Sequence, residues 1–333
     1  MHDTEAMEQA LEQAASVRAT TSPNPWVGAV VIDPEGRVVG EGATEPPPGR
    51  HAEAVALAAA GDRARGATVA VTLEPCSHHG RTPPCADALV EAGVARVVVG
   101  IADPDPVVAG RGIERLRAAG IEVEVGVAEE RVEAQLTPYL KHRRTGRPWV
   151  VCKLASTVDG RTAAADGSSQ WITGEDARRD AHRLRAESDA VLVGAGTVRD
   201  DDPSLTVRLV EGDDPRRVVL GEIPQGAAVL PATSMSGDLG AVLDRLGDDG
   251  VLQVMVEGGA SVAGEFHRAG LVDQYVLYVA PALMGGDDGV SLLAGSGAPT
   301  IAEAWRGRFR AVTPLGPDLR IDLEPLPVDA EAA

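Results

Sequence analysis

Cysteine, aromatic side chains, long apolar runs and excess positive charge are all scarce or missing in this 333-residue chain. Three cysteines are a small and odd set, which argues against a disulfide framework and for a reducing cytoplasm as the expected location. Four Trp, three Tyr and two Phe are too few for an extended surface on which nucleic-acid bases stack. Apolar stretches stay under ten residues, against the roughly 20 needed to span a bilayer. The acidic, amphipathic start also lacks the basic opening and apolar run of a signal peptide, so no membrane association is expected. Lys and Arg number 31 against 50 Asp and Glu, a formal charge of −19. Non-specific nucleic-acid binding depends on clustered cations and is therefore disfavoured. An anionic substrate would need its own local basic pocket.

What is present is alternation. The length favours two domains. Met7, Ala10, Leu11, Ala14 and Val17 recur at helical spacing behind Asp3 as N-cap. A strand hairpin is predicted from Val27–Ile32 and Arg37–Gly42 around Asp33-Pro34-Glu35-Gly36. A short Ala-rich helix from His51 to Ala60 follows, then strand Ala67–Leu73, a polar loop, and a helix from Pro83-Pro84 to Gly93. Strand Ala95–Ile101, helix Gly112–Ala119, strand Ile121–Val127 and helix Glu129–Arg144 continue the pattern. This reads as α/β with a largely parallel sheet. The turn Thr145-Gly146-Arg147-Pro148 marks the expected boundary between domains 1–146 and 147–333. Beyond it come strand Trp149–Ala155, helix Glu175–Glu187, strands Ala190–Val193 and Arg217–Leu220, and helix Leu239–Leu246. Strand Gln253–Val256, helix Val262–Ala269, strand Gln274–Ala280 and a last strand at Leu319–Leu323 complete it, before a frayed acidic tail.

The chemistry concentrates at three strand-to-helix junctions. His51-Ala52-Glu53 opens one helix, Pro75-Cys76 ends the next strand, and Cys85 opens another helix. One His and two Cys form a soft, tetrahedral set that leaves a fourth position for water, as a catalytic zinc requires. Glu53 is not a ligand and sits two residues from His51, where it can move protons between water and a leaving amine. Helix N-termini favour thiolate over thiol. The order H-x-E…P-C…C matches the zinc-deaminase signature, with eight residues rather than two between the cysteines. Taken singly, H-A-E is an ordinary helix start and a cytoplasmic cysteine an ordinary core residue. In this order, each at a junction, they favour zinc. Cys152, inside an apolar strand, keeps the bland reading of a core thiol.

The loop Pro75-Cys76-Ser77-His78-His79-Gly80-Arg81-Thr82-Pro83-Pro84-Cys85 strongly resembles the bifunctional riboflavin-biosynthesis deaminase–reductase family. Upstream Pro23-Asn24-Pro25-x-Val27-Gly28-Ala29-Val30 and downstream Val108-Ala109-Gly110-Arg111-Gly112 resemble the same family. So do Asp159-Gly160-Arg161-Thr162, Ser169-Gln170-Trp171-Ile172-Thr173, Asp201-Asp202-Pro203-x-Leu205-Thr206-Val207-Arg208, Val256-Glu257-Gly258-Gly259 and Gly316-Pro317-Asp318-Leu319 in the second half. The resemblance spans nearly the whole chain. It implies a cytidine-deaminase-like three-layer domain followed by a dihydrofolate-reductase-like α/β domain. The first would deaminate a phosphoribosylamino-bearing diaminopyrimidinone with Zn2+; the second would reduce the ribosyl group to ribityl with NADPH. Asn24, His78 and Arg81 would contact the first substrate and Asp103 its ribose.

The second half alone is less telling. Val193-Gly194-Ala195-Gly196-Thr197 and Glu257-Gly258-Gly259-Ala260-Ser261 are glycine turns that let backbone N–H groups approach phosphate, but such turns are common in α/β domains. The resemblance assigns Ala155, Trp171, Thr197, Asp201 and Gly259, Ala260, Ser261, Val262, Ala263, Gly264 and Glu265 to the cofactor. It assigns Ser169, Arg185, Leu205, Arg208 and Glu257 to the substrate. Arg185 and Arg208 suit the local cations an acidic protein must supply, although a solvated helix face and a structural ion pair fit them equally well without the family. Lys153 lies in an otherwise apolar strand and needs a partner; it is expected to position or polarise the sugar.

Two stretches depart from the family pattern. Thr44 replaces a histidine and Asp105 replaces an asparagine, both expected near the sugar-phosphate end of the deaminase site. Between Leu220 and Gln253 an apolar edge strand is expected to be missing, which would reshape the cofactor's adenosine pocket. That gap motivates a second reading, a deaminase whose reductase-like half has lost hydride transfer. A nucleic-acid editor is disfavoured by the acidity and the few aromatics, and a purely structural zinc module is the blandest alternative. The expected partners are small phosphorylated pyrimidinones and further copies of the same chain.

Overall fold

The computed structural model describes residues 1–77 and 83–326. The chain divides into two compact units, Met1–Gly146 and Arg147–Ala333.

The first unit runs α1 (Asp3–Ser16), β1 (Gly28–Ile32), β2 (Val38–Ala43), α2 (Ala52–Ala60), β3 (Thr68–Leu73), α3 (Cys85–Ala92), β4 (Arg96–Ile101), α4 (Arg111–Ala118), β5 (Glu122–Val125) and α5 (Glu129–Thr145). Its sheet has the order β2-β1-β3-β4-β5. The expectation of a largely parallel sheet holds only for β3-β4-β5, because β1 pairs antiparallel with both β2 and β3. The short turn after β1 returns the chain directly into an antiparallel partner, whereas helices connect the parallel strands. Glycines let both helical layers sit close. A Cβ at Gly28 would overlap the Ala10 carbonyl of α1, and Cβ atoms at Gly40 and Gly42 would overlap the backbone of α2. Gly100 faces Val132 of α5 and lies in register with Thr72 and Gly28, so α1 and α5 share one face while α2 covers the other. The N-cap of α1 is His2 rather than Asp3, whose carboxylate instead pairs with Arg96 at 2.7 and 2.8 Å.

The second unit runs β6 (Trp149–Thr157), β7 (Arg161–Ala163), α6 (Glu175–Ala186), β8 (Ala190–Gly194), α7 (Ala195–Asp201), β9 (Arg216–Leu220), β10 (Thr233–Met235), α8 (Leu239–Asp248), β11 (Gln253–Val256), α9 (Ala260–Arg268), β12 (Gln274–Ala280), β13 (Val290–Ser291), β14 (Gly307–Leu315) and β15 (Asp318–Pro325). The main sheet has the order β10-β9-β8-β11-β6-β12-β15-β14, parallel from β10 to β12 and antiparallel beyond. Alternate residues of β6 feed opposite layers. Val150, Cys152 and Leu154 pack with α8 and α9, while Val151 packs with Ala177, Ala181 and Leu184 of α6. Cys152 is a fully buried core thiol.

Several elements correct the sequence reading. The edge strand expected to be absent is present: β10 pairs in parallel with β9 through Thr233, Ser234 and Met235. Its three residues carry too little apolar periodicity to register as a strand. Strand β14 carries no strand signal in the sequence, because a stretch such as Gly307-Arg308-Phe309-Arg310 on an exposed edge has no buried face to impose alternation. Helix α7 and the small β7–β13 pairing likewise lacked a pattern long enough to read.

Candidate active sites

In the first unit the three ligand candidates come from elements distant in sequence. His51 is the extended N-cap of α2, Cys76 lies in the loop leaving β3, and Cys85 is the first residue of α3. His51 Nδ1 stands 3.6 Å from Cys76 Sγ and 3.3 Å from Cys85 Sγ, and all three donor atoms lie within 4.8 Å of one another. The backbone N–H of Cys85 donates to Cys76 Sγ at 3.3 Å. The Cys85 thiol and His51 draw the Cys76 thiol down to about 4, whereas that shared proton and burial push Cys85 up. Glu53 is buried in the first turn of α2. Burial, then the charge of Cys76, pushes its carboxyl up to about 7, near neutrality where one group can both take and return a proton. One imidazole and two thiols converging beside a buried carboxyl fit a zinc ion with an open coordination position.

Glu74 holds this arrangement and was not foreseen. Its buried carboxylate accepts backbone N–H bonds from Asp103 (3.1 Å), Gly110 (3.0 Å), Gly112 (2.9 Å) and Ile113 (3.3 Å). The start of α4 is thereby clamped to the residue two before Cys76. Gly112 is required at this contact, since a Cβ there would overlap the Pro75 carbonyl. The signal was in the sequence: an acid ending an apolar strand directly before Pro-Cys. Glu74→Ala should leave four backbone donors without their acceptor and cost about 3 kcal/mol. Zinc stoichiometry and ammonia release should fall at least about tenfold, with reduction of supplied deaminated substrate unchanged; full zinc loading would refute the role.

The other predicted residues of this unit are placed variously. Asn24 is half-buried in the turn before β1, and His78 and Arg81 lie outside the described residues. Asp103 is buried, and both of its oxygens accept the Tyr139 hydroxyl at 3.0 Å. Burial raises its pKa. Thr44 is buried, and its hydroxyl accepts the Val27 N–H at 3.1 Å beside the β1–β2 pairing. Asp105 does not add bare negative charge, because Arg143 Nε stands 3.2 Å from its carboxylate.

In the second unit a cavity of about 1170 Å³ opens where the parallel strands end, the usual ligand position of open α/β sheets. Lys153, Ala155, Ser169, Trp171, Arg185, Thr197, Asp201, Leu205, Arg208, Glu257 and Gly259 to Val262 all line it. Ala263, Gly264 and Glu265 do not. A helix turns about 100° per residue, so Ala263 enters the core, Gly264 faces the Ala294 carbonyl, and Glu265 points to solvent. The Gly259 N–H donates to Thr197 Oγ1 at 3.0 Å, joining the two glycine turns. Trp171 is 70% exposed, with the Arg178 guanidinium 4.8 Å from its ring centre.

The charged end of the cavity is a triad in which Arg185 is buried and Lys153 and Glu257 are half-buried. Arg185 Nη2 donates to both Glu257 oxygens at 2.9 and 2.8 Å, and Lys153 Nζ donates to Oε1 at 3.2 Å. Burial opposes ionisation of Glu257, but the charges of Lys153 and Arg185 outweigh it and hold the carboxyl at about 2. Lys153 thus has the partner its strand position required, and Arg185 is buried rather than on a solvated helix face. Arg208 Nη1 donates to the Thr206 hydroxyl at 2.6 Å and also to Ser204.

Comparison with known proteins decides the family. Residues 1–101 match the cytidine and deoxycytidylate deaminase zinc-binding region, and residues 148–321 match the RibD C-terminal domain. The chain is 49% identical to riboflavin biosynthesis protein RibD of Mycobacterium tuberculosis over 331 residues, covering 96% of each chain. The chain belongs to the RibD family. The Escherichia coli K12 RibD is 41% identical over 366 residues, covering 97% of this chain and 99% of that one. A solved Acinetobacter baumannii RibD superposes with a TM-score of 0.90 at 38% identity, covering 97% of this chain and 99% of that one. A Thermotoga maritima structure described as a diaminohydroxyphosphoribosylaminopyrimidine deaminase/5-amino-6-(5-phosphoribosylamino)uracil reductase superposes with a TM-score of 0.86 at 34% identity, over 97% and 99% of the two chains. As a RibD family member the protein is a bifunctional enzyme of riboflavin biosynthesis, a zinc-dependent deaminase and an NADPH-dependent reductase. It combines a cytidine-deaminase-like fold with a dihydrofolate-reductase-like one. The reading in which hydride transfer has been lost is not favoured, since the RibD C-terminal domain is present and β10 occupies the edge thought to be missing. No helix among the described residues is long and apolar enough to cross a membrane.

Proposed function

We propose that residues 1–146 form the deaminase and residues 147–333 the reductase, acting in turn on a diaminopyrimidinone that carries a ribosylamino 5'-phosphate. The observation carrying the first half is the convergence of His51, Cys76 and Cys85 donor atoms beside the buried carboxyl of Glu53. These three residues would hold the zinc, whose chemistry when bound would be to acidify a water toward neutrality. Glu53 takes a proton from the water that adds to the amine-bearing ring carbon and delivers it to the departing nitrogen, so ammonia leaves and a carbonyl remains. Asn24, His78 and Arg81 hold the pyrimidinone, and Asp103, oriented by Tyr139, accepts from a ribose hydroxyl.

In the second unit bound NADPH would supply the hydride needed to reduce the opened ribosyl group at its C1 position. Ala155, Trp171, Thr197, Asp201 and the backbone from Gly259 to Val262 seat the cofactor, with the N–H groups opening α9 suited to phosphate. Ser169, Leu205, Arg208 and the Lys153–Glu257–Arg185 triad seat the substrate. Lys153 orients and polarises the sugar, and Arg208 presents its guanidinium to the phosphate.

The reading includes a cytoplasmic location, supported by a small, odd set of three cysteines. It also includes self-association, supported by the apolar side chains of Ile301, Phe309 and Val312 left exposed at and before β14.

Mass spectrometry of the diaminopyrimidinone substrate after incubation tests both steps. Without NADPH, one amine should be exchanged for oxygen. With NADPH the product should gain two further hydrogens, and a zinc chelator should stop the first change while sparing reduction of supplied deaminated substrate. Reduction before deamination, or deamination insensitive to exhaustive zinc removal, would refute the assignment.

A further inference from the structure

One side chain at the charged end of the reductase cavity has no role in this scheme. His182 is buried on α6, lines the cavity, and lies one helical turn before Arg185. Its Nδ1 accepts the backbone N–H of Arg208 at 3.1 Å. A ring nitrogen that accepts an N–H bond carries a lone pair, so the ring proton resides on Nε2 and the imidazole is neutral.

The neighbouring contacts show what this bond does. The segment from Thr206 to Arg208 is gripped at three successive residues. Arg185 Nη1 donates to the Thr206 carbonyl at 2.6 Å, the Val207 N–H donates to Asp214 Oδ1 at 2.7 Å, and the Arg208 N–H donates to His182. Just before them, Leu205 is held at a positive φ of 54° with its side chain in the core beside Val191, Val193 and Val219. A leucine adopts that conformation only when its surroundings enforce it. The backbone of Arg208 therefore has one defined place, while among the described residues its guanidinium donates within its own loop, to the Ser204 and Thr206 hydroxyls. We infer that His182 is a positioning residue for the reduction: its Nδ1 anchors the Arg208 backbone so that the guanidinium is presented to the substrate's phosphate. This rests on the reading in which Arg208 binds that phosphate.

A neutral ring is required, since an imidazolium would have no lone pair to offer. The surroundings enforce neutrality. Burial, then the charges of Arg185 on the same helix and Arg208 on the loop, lower the pKa to about 4 from an ordinary 6.5. Lys153 of β6 acts in the same direction, and Glu257 beyond β11 opposes it.

The test uses the full-length enzyme with deaminated substrate and NADPH. His182→Leu leaves the Arg208 N–H unpaired and should raise KM for the phosphorylated substrate about tenfold. Its kcat should stay within about twofold and KM for NADPH should not move, the signature of lost substrate binding rather than lost chemistry. His182→Gln, whose carboxamide oxygen can accept the same N–H, should restore most of the affinity. In an Arg208→Ala background, His182→Leu should add little. A wild-type KM in His182→Leu alongside a raised KM in Arg208→Ala would overturn this inference alone. An unchanged KM in Arg208→Ala would overturn the phosphate reading and the inference with it. Equal losses in kcat and NADPH binding, or no rescue by Gln, would show a merely structural role. Ring 15N chemical shifts of the unmutated protein give a readout independent of any variant's folding: Nδ1 should be unprotonated at neutral pH, and a protonated Nδ1 refutes the anchor.

Discussion

Glu53→Gln should reduce ammonia release from the diaminopyrimidinone by about 10² to 10⁴-fold, the range set by loss of a positioned proton carrier. Zinc content should not change, because His51, Cys76 and Cys85 remain in place with their donor atoms within 4.8 Å of one another. Gln fills the buried space of Glu53 without a strain cost but can neither accept the proton of the attacking water nor return it. The carboxyl is pushed up to about 7 chiefly by burial. NADPH-dependent reduction of supplied deaminated substrate should proceed at the unmutated rate. Ammonia release within about threefold of the parent, at full zinc loading, would remove Glu53 from the mechanism. Loss of zinc along with activity would instead make Glu53 a structural support of the ligands.

The second large effect is expected at Glu257. Glu257→Ala leaves Arg185 and Lys153, whose side chains are only 8% and 17% exposed, as poorly solvated like charges without the carboxylate between them. Removing one partner of such a set typically costs about 3 to 5 kcal/mol. Denaturant unfolding should show that loss, and NADPH oxidation with deaminated substrate should fall at least about 100-fold because the substrate end of the cavity loses its shape. Deamination should persist. The acid dependence follows the same charges. The folded-state pKa of Glu257 is about 2, below its ordinary 4.5, so its stabilisation is complete above about 4.5 and is lost as pH falls toward 2. Glu257→Gln should therefore flatten the acid limb of the stability curve between those values. A variant with parental stability and turnover would show that the triad is dispensable.

How much of this was legible depended on the range of the interaction. The alternation of strands and helices was readable because period and punctuation are local properties of a dozen residues. The grouping of His51, Cys76 and Cys85 was readable because each sits at a strand-to-helix junction, and β2 and β3, each antiparallel to β1, run the same way and bring their ends to one rim of the sheet. Short or edge elements were not: β10 has three residues, and β14 presents Phe309 and Val312 to solvent. The segment Gly259–Glu265 shows a different failure. A resemblance marks all seven positions as one block, yet helical rotation sends only the first turn to the cavity and returns Ala263 to the core.

By itself, then, the sequence determined the α/β class, the residue types able to hold zinc, and the motifs that place the chain in its family, because these reside in residue identity and short-range order. Only the tertiary structure decided which charges meet. Glu257 finds Lys153 and Arg185 across 104 and 72 positions, Glu74 gathers N–H groups 29 to 39 positions away, and His182 reaches Arg208 across 26. Such pairings leave no periodicity in the chain. They arise when parallel strand ends and helix starts are packed at one rim, and there burial turns each contact from a weak surface interaction into one that shapes the site.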